Sequence, residues 1–380
     1  MILLVTHFSW DSPTGGACIL RHFVGKLHRE PIHWFALSQP AGLVPFRANH
    51  VTREYITAPG WGNVRLRLGG FWAWYKRVWW ARTAAARIEW LQNELKARAI
   101  WLVADYTLGS VGLRLLPKLA RRQVHVSLHD HPLESARRAG FCRYDLREIA
   151  AFQSGLAALH PTVDAVSEEL LKAIMPDVKR TSIIALPAMS CATAPAVVGP
   201  TTEGPLRFGL SGNFFGQEEL NCFLHGLEQW SSRTGRDWRL LVFGRKPEGK
   251  LDQRIDFRGF RPIEEARDQL ARCDVLLLPL PVDADSIQMR TSVPTKLTTY
   301  LEVGRLVFAF APSGSATERI IAQSALGPVV TRLDPSVVAG QLNQLATWNL
   351  AAANVGRQRL LEHRYNEHRM LSDLNCLLSP

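Results

Sequence analysis

An α/β protein built from two doubly wound units is what this sequence predicts, and three observations carry the prediction. The chain has 380 residues, more than one compact core holds at about 150 residues per domain. Short apolar runs alternate with helical segments along most of its length, the pattern of parallel sheets covered by helices. A stretch rich in Ala, Pro, Thr and Gly, punctuated by Pro195, Pro200 and Pro205, interrupts that alternation in the middle.

The first unit is expected over residues 1–190. It opens with a strand at 2–6, a loop, a helix at 16–27 and a strand at 32–37. A long Trp-rich helix leads to a strand at 100–104, a helix at 109–121 and a strand at 124–128. A helix near 145–155, a strand at 163–166, a helix capped by Ser167 and a strand at 182–186 complete it. Residues 191–205 read as a linker. The second unit, 206–359, has strands at 206–210, 239–243, 254–257, 274–280, 306–311 and 328–330, with a helix at 263–273. Its runs Val-Leu-Leu-Leu and Leu-Val-Phe-Ala-Phe suit strands buried on both faces. Helices follow at 337–345 and 355–378. Two such units leave an interdomain cleft, where ligands meet the carboxyl ends of the strands.

Composition narrows the function classes. Apolar residues make up 47% and charged residues 21%, which excludes collagen-like and mostly disordered chains. Six cysteines without a C-x-x-C pair indicate neither a disulfide framework nor a zinc ribbon, and a reducing cytoplasm is expected. No apolar run approaches a membrane span, and the first residues do not resemble a signal peptide. Residues 1–200 carry 24 Lys and Arg against 14 Asp and Glu, so nearly all of the +11 net charge lies in the first half. An anionic partner is expected there: nucleic acid, acidic lipid headgroups or a phosphorylated acceptor. Nucleic acid is the weakest candidate, because no reading motif accompanies the charge.

Most of the excess falls within residues 65–98, where eight basic residues face only Glu89 and Glu94. Helical spacing aligns Trp72, Tyr75, Trp79, Ala86 and Trp90 in one stripe and turns Arg77 and Arg87 elsewhere, with Trp74 and Trp80 off the stripe. Core packing is the expected role of the stripe. The alternative is an interfacial anchor on an anionic membrane surface, placing the protein at the inner face of the cell membrane.

Three loops have residues suited to an anion, the first of them equally readable as a plain strand-to-helix turn. In the loop after residue 210, Gly212, Asn213 and Gly216 lie between a strand and a helix, where small residues let amides approach a phosphate. At 291–299, Pro294 suits a first helical turn and Ser292 is placed to cap it. Ser292, Thr295 and Lys296 would then supply donors and one positive charge to a pyrophosphate. A lysine in a first turn opposes the helix dipole, so its position asks for an anion nearby. Gly15 and Gly16 of the N-terminal Pro-Thr-Gly-Gly loop permit close backbone approach in the first unit. Asp283-Ala-Asp285 is a D-x-D motif, discounted as a metal site because it lies late in the second α/β unit.

Together with Val126-Ser-Leu-His-Asp-His-Pro, Asp164-Ala-Val-Ser, Val242-Phe-Gly, Phe257-Arg-Gly-Phe and the segment PTKLTTYLEVGR from Pro294, these pieces resemble the GT-B glycosyltransferases, most closely family 4. The resemblance covers nearly the whole chain. It implies two Rossmann-like domains, an acceptor-binding first half and a donor-binding second half, with a C-terminal helix at about 360–380 returning to the first domain. It also implies transfer from a nucleotide-diphosphate sugar with retention and without a metal or other cofactor. The acceptor would be a glycan or lipid-linked molecule, as in bacterial surface-glycan synthesis. Backbone groups around Arg258, Gly259 and Phe260 would bind the base. The chain departs from the family at the E-x7-E pair, whose positions are Thr291 and Thr299. Thr299 is retained with the donor-binding residues, and Glu302, three residues late, does not replace a glutamate.

Departure of a nucleoside diphosphate concentrates negative charge on the β-phosphate, which Lys296, Ser292 and loop amides are placed to stabilise. His129 or Asp130, at the carboxyl end of the 124–128 strand, is the candidate base for the acceptor hydroxyl. Alternatives from other classes are a non-catalytic homologue acting as a binding scaffold and a nucleotide-sugar epimerase.

Overall fold

A computed structural model describes residues 1–12, 14–27, 30–40, 42, 44–56, 69–119, 122–187, 195–212, 216–249, 252–283 and 285–379, without the side chains of 69–74, 76 and 77. The chain divides into two compact units, Met1–Leu186 with His368–Pro380, and Pro187–Glu367.

The first unit runs β1 (Ile2–Thr6), α1 (Gly15–Lys26), β2 (Ile32–Ala36), β3 (Val51–Tyr55), α2 (Gly69–Glu94), β4 (Ala99–Val103), α3 (Leu108–Leu119), β5 (Gln123–Leu128), α4 (Pro132–Arg138), α5 (Arg143–Ala158), β6 (Thr162–Ala165), α6 (Glu168–Ile174) and β7 (Thr181–Ile183). All its strands are parallel, in the order β3-β2-β1-β4-β5-β6-β7. Winding therefore reverses between β1 and β4, the position where open parallel sheets bind ligands. β1, β2, β4 and β6 are buried at every residue, as parallel strands covered on both faces require.

The second unit runs β8 (Leu206–Leu210), α7 (Gln217–Thr234), β9 (Trp238–Phe243), β10 (Ile255–Gly259), α8 (Ile263–Leu270), β11 (Val275–Pro279), α9 (Ile287–Thr291), α10 (Lys296–Val303), β12 (Leu306–Phe310), α11 (Ala316–Gln323), β13 (Val329–Val330), α12 (Pro335–Gln344) and α13 (Leu350–Arg359). Its parallel sheet has the order β10-β9-β8-β11-β12-β13 and reverses between β8 and β11. Phe208, Phe223, Phe308 and Phe310 form its aromatic centre through edge-on contacts of 5.0 and 5.1 Å. Val197, from the Pro-rich stretch, is buried in this core and donates its amide to Asn354.

The helix expected over 355–378 is two helices. A π-turn at Leu360–Arg364 and the buried Tyr365 break it before α14 (Glu367–Leu378), whose Met370, Leu374 and Leu378 enter the core of the first unit. The strand β3 has no counterpart in the sequence reading. It is an edge strand with only Val51 buried, so it lacks the apolar alternation that announces a strand.

A buried polar chain crosses the first sheet. Trp101 Nε1 donates to Ser127 Oγ at 2.7 Å, and Ser127 Oγ donates to Asp164 Oδ2 at 2.5 Å. His125 bridges Asp164, at 2.7 Å, and Thr162, at 2.9 Å, and Thr162 donates to the Leu377 carbonyl of α14. Every member is almost wholly excluded from water, where an unpaired polar group costs far more than a paired one returns. Replacing Asp164 with Ala should lower the stability of this unit by about 3 to 5 kcal/mol, read as an earlier urea-unfolding midpoint; an unchanged midpoint would show that the chain carries no such load.

Candidate functional site

In the first unit, the loops that leave β1, β4 and β5 meet at the carboxyl edge of the sheet. His7, one residue past β1, places Nε2 3.4 Å from Oδ2 of Asp105, two residues past β4. Tyr106 lies beside His7, with ring centroids 6.3 Å apart. Phe8 stacks on His129, one residue past β5, at 6.5 Å and 14°. Thr14 caps α1 by accepting from the Ala17 amide. Behind that cap Gly16 touches the His129 ring: a Cβ added there would sit 2.6 Å from Nδ1.

The structure thus brings Gly16 and His129 together within one unit, with Gly15 opening the same helix. Nδ1 of His129 is buried without a hydrogen-bond partner, as is Nδ1 of His7. Burial holds the His129 pKa down at about 4, against smaller opposing attraction from Asp164 and Asp105. At neutral pH His129 is therefore an uncharged imidazole able to accept a proton. Asp130 is exposed and acts on Tyr106, whose phenol is pushed up first by burial and then by Asp105 and Asp130. His131 is the N-cap of α4 and accepts from the Glu134 amide, which accounts for it structurally.

In the second unit the corresponding edge carries the loops after β8, β9, β10 and β11. Gly212, Gly244 and Gly259 have φ of 78°, 101° and 68°, a region that side chains with a Cβ rarely enter. A Cβ on Gly244 would come within 2.5 Å of the Gly212 carbonyl, and the Gly244 amide donates to the Gly259 carbonyl at 2.8 Å. A Cβ on Gly212 would lie 3.9 Å from Cε of Lys296. The lysine therefore reaches the glycine loop, two expected donor-binding elements brought to one place. It is the first residue of α10, and burial pushes its ammonium down to about 8.

Below the loop, Tyr300 is fully buried; its hydroxyl accepts from the Ser211 amide at 3.1 Å and donates to the Leu277 carbonyl at 2.9 Å. Burial drives its pKa up to about 12, so it remains a neutral phenol. Glu219, in the first turn of α7, accepts from the Val282 amide at 3.0 Å and ties that helix to the loop after β11. Tyr300 and Gly244 lie in the motifs that carry the resemblance, but neither they nor Glu219, His7, Phe8 and Asp105 are among the site residues the sequence singles out. The switch-point rule would have found His7 and Asp105, since each follows a strand at the reversal.

Several expectations change. Ser292 does not cap the lysine's helix: it closes α9, and its carbonyl accepts from Thr317 Oγ1. The N-cap of α10 is Thr295, which makes no side-chain cap, and Pro294 precedes it. The amides of Leu297 and Thr298 donate to the carbonyls of Pro294 and Thr295, leaving the lysine and hydroxyls as the prominent anion donors. Thr291 and Thr299, at the places of the E-x7-E pair, are both buried, and Thr291 Oγ1 turns back to the Ile287 carbonyl. Glu302 pairs with Arg267 at 2.9 Å, a packing contact between α10 and α8. Arg258 is exposed and paired with Asp256 on its own strand at 2.6 Å, while Phe260 is 72% exposed beside Gly259. Asn213 lies outside the described residues. Among those described, no cluster of His, Cys, Asp and Glu able to hold a metal ion occurs, and Asp283 only accepts from the Asp285 amide.

Two substitutions probe these edges. Gly16→Ala should push the His129 ring aside, read as a shift of its imidazole NMR resonances, with little loss of melting temperature, because the side chain yields before the backbone does. Gly244→Ala meets both a left-handed φ and a carbonyl, and should destabilise the second unit by about 1 to 3 kcal/mol. NMR spectra and melting curves check the two.

No protein-family model matches the chain, and a search of curated proteins finds no match. Solved structures do match. The chain is similar to the lipopolysaccharide outer core galactosyltransferase WaaB, with 14% identity, 99% of this chain and 98% of that one covered, and a TM-score of 0.63. It is similar to a glycosyltransferase from Rickettsia africae, with 13% identity, coverage of 99% and 97% and a TM-score of 0.62. Os79 from O. sativa in complex with UDP matches over 100% of both chains, with 13% identity and a TM-score of 0.59. At such identities the likeness speaks to architecture, and it shows that this chain has the GT-B fold, with two parallel α/β sheets.

Proposed function

We propose that the protein is a glycosyltransferase that moves a sugar from a nucleotide-diphosphate donor to an acceptor hydroxyl. The observation that carries this reading is Lys296, a partly buried cation at the start of a helix whose N-cap side chain makes no cap, beside a loop of left-handed glycines. A desolvated ammonium there favours a bound polyanion, and the diphosphate of a nucleotide-sugar supplies one. Ser292, Thr295 and Thr299 lie on the same segment. The Gly212, Gly244 and Gly259 turn, with exposed Phe260, offers backbone and a ring for the base.

As the bond from the anomeric carbon to the diphosphate breaks, charge builds on the leaving phosphate, and Lys296 stabilises it. The first unit offers the acceptor side. His129, uncharged at neutral pH, is favoured over the exposed Asp130 as the group that takes the hydroxyl proton. Retention, independence of metal ions, and an acceptor of the surface-glycan or lipid-linked kind follow the resemblance to family 4, and the similarity to an outer core galactosyltransferase supports the last of these.

Thermal-shift screening against nucleoside diphosphates and their sugars tests the reading, because a ligand that binds only the folded chain raises its melting temperature. Lys296→Ala should abolish the shift given by a diphosphate; an undiminished shift would falsify the assignment. Affinity should also weaken as pH rises through about 8, where the free lysine loses its proton. Donor turnover with an acceptor, donor isomerisation without one, or binding alone separates transferase from epimerase and scaffold, and product stereochemistry reads retention.

A further inference from the structure

The aromatic stripe of α2 faces solvent, against the expectation of core packing. The face that enters the core is Trp80, Ala81, Ala84, Ala85, Ile88 and Leu91, on the opposite side of the helix. Tyr75, Trp79 and Trp90 are 50%, 62% and 49% exposed, and Ala86 is exposed with them; Trp72 belongs to the undescribed side chains. At 1.5 Å per residue, the stripe from Tyr75 to Trp90 runs roughly 22 Å along the helix. Exposed indoles are uncommon on a water-facing surface, and three large rings in one line mark an interaction surface.

Charge selects the partner. Residues 65–98 hold eight basic side chains and two acidic ones, and one of the two, Glu89, is held by Lys118 of α3. Arg82 is exposed beside the stripe. Arg87 lies 4.1 Å over the Trp90 ring while Glu54 of β3 binds its fork at 2.6 and 2.8 Å, which braces the ring in its outward position. The acidic groups facing this surface are therefore Glu54, Glu89 and Glu94, the first two already paired. Indole and phenol rings interleaved with arginine match the headgroup layer of an anionic bilayer, where the rings sit at the boundary and the guanidinium groups meet lipid phosphate. Among the described residues no helix is long and apolar enough to cross a membrane, so the helix would lie along the surface.

We propose that the Tyr75–Trp79–Trp90 face of α2, flanked by Arg82, docks the first unit on an anionic lipid surface. The test is co-sedimentation of the full chain with vesicles of phosphatidylcholine alone or mixed with phosphatidylglycerol, without nucleotide or acceptor. Binding should require phosphatidylglycerol and reverse in high salt. The double substitution of Trp79→Ala and Trp90→Ala should weaken it at least about tenfold, and Arg82→Glu about fivefold. These side chains are exposed, so melting temperatures should hold, and Lys296→Ala should bind vesicles as the parent does, which separates this inference from the transfer reading. Failure to sediment at low salt, or undiminished binding by the double variant, overturns the proposal. So does self-association or RNA binding that the double variant abolishes while vesicles remain unbound.

Discussion

In each sheet the chain winds away from its first strand in one direction, returns, and winds away in the other, so the loops after β1 and β4, and after β8 and β11, emerge side by side. No crossing helix fills the space between such loops. Nearly every feature assigned to the candidate site depends on that reversal. It sets His7 against Asp105 and brings the start of α7 onto the loop after β11 through Glu219 and Val282. The parallel ladder also aligns carboxyl ends at one edge, so His129, after β5, arrives at the same rim as Gly16, after β1.

Burial does the electrostatic tuning at both rims. His129 and Lys296 are each pushed toward the neutral form, one to about 4 and the other to about 8. The outcomes differ because the starting values differ: the imidazole is wholly neutral near pH 7, whereas the lysine remains largely charged yet poorly solvated. A neutral acceptor of protons and a cation short of solvation are the two groups on which the proposed transfer rests. Glycine turns and a buried phenol surround the lysine, whereas stacked rings and the carboxylates of Asp105 and Asp164 surround the imidazole.

Much of this was legible from residue order. Apart from β3 and the short edge strand β7, the strands of both sheets fall within one or two residues of expectation because parallel strands covered on both faces show as dense apolar runs. Gly16, Gly212, His129 and Lys296 could be named because glycine, histidine and lysine at strand-to-helix junctions have few structural reasons to be there. Elements stabilised mainly by neighbours were illegible: the exposed edge strand β3, and the short helix α9 that takes Ser292 away from its expected cap. The buried relay through His125, Ser127 and Asp164 was equally hidden, since polar residues inside an apolar strand announce neither partner nor purpose.

What the sequence alone determined is the local grammar: where the buried strands and longer helices occur, which loops carry glycine, and that α2 has two unlike faces. Which face turns inward it left open, because amphipathic spacing is the same for a core helix and a surface one. Tertiary packing decided it. Trp80, Ala81, Ala84 and Ala85 enter the core, α2 packs on α3 with Glu89 and Asn93 fastened to Lys118 and Arg122, and Tyr75, Trp79 and Trp90 were left outside. Close packing rewards fit over bulk hydrophobicity, and that preference depends on the neighbouring surface, which no single segment of sequence contains.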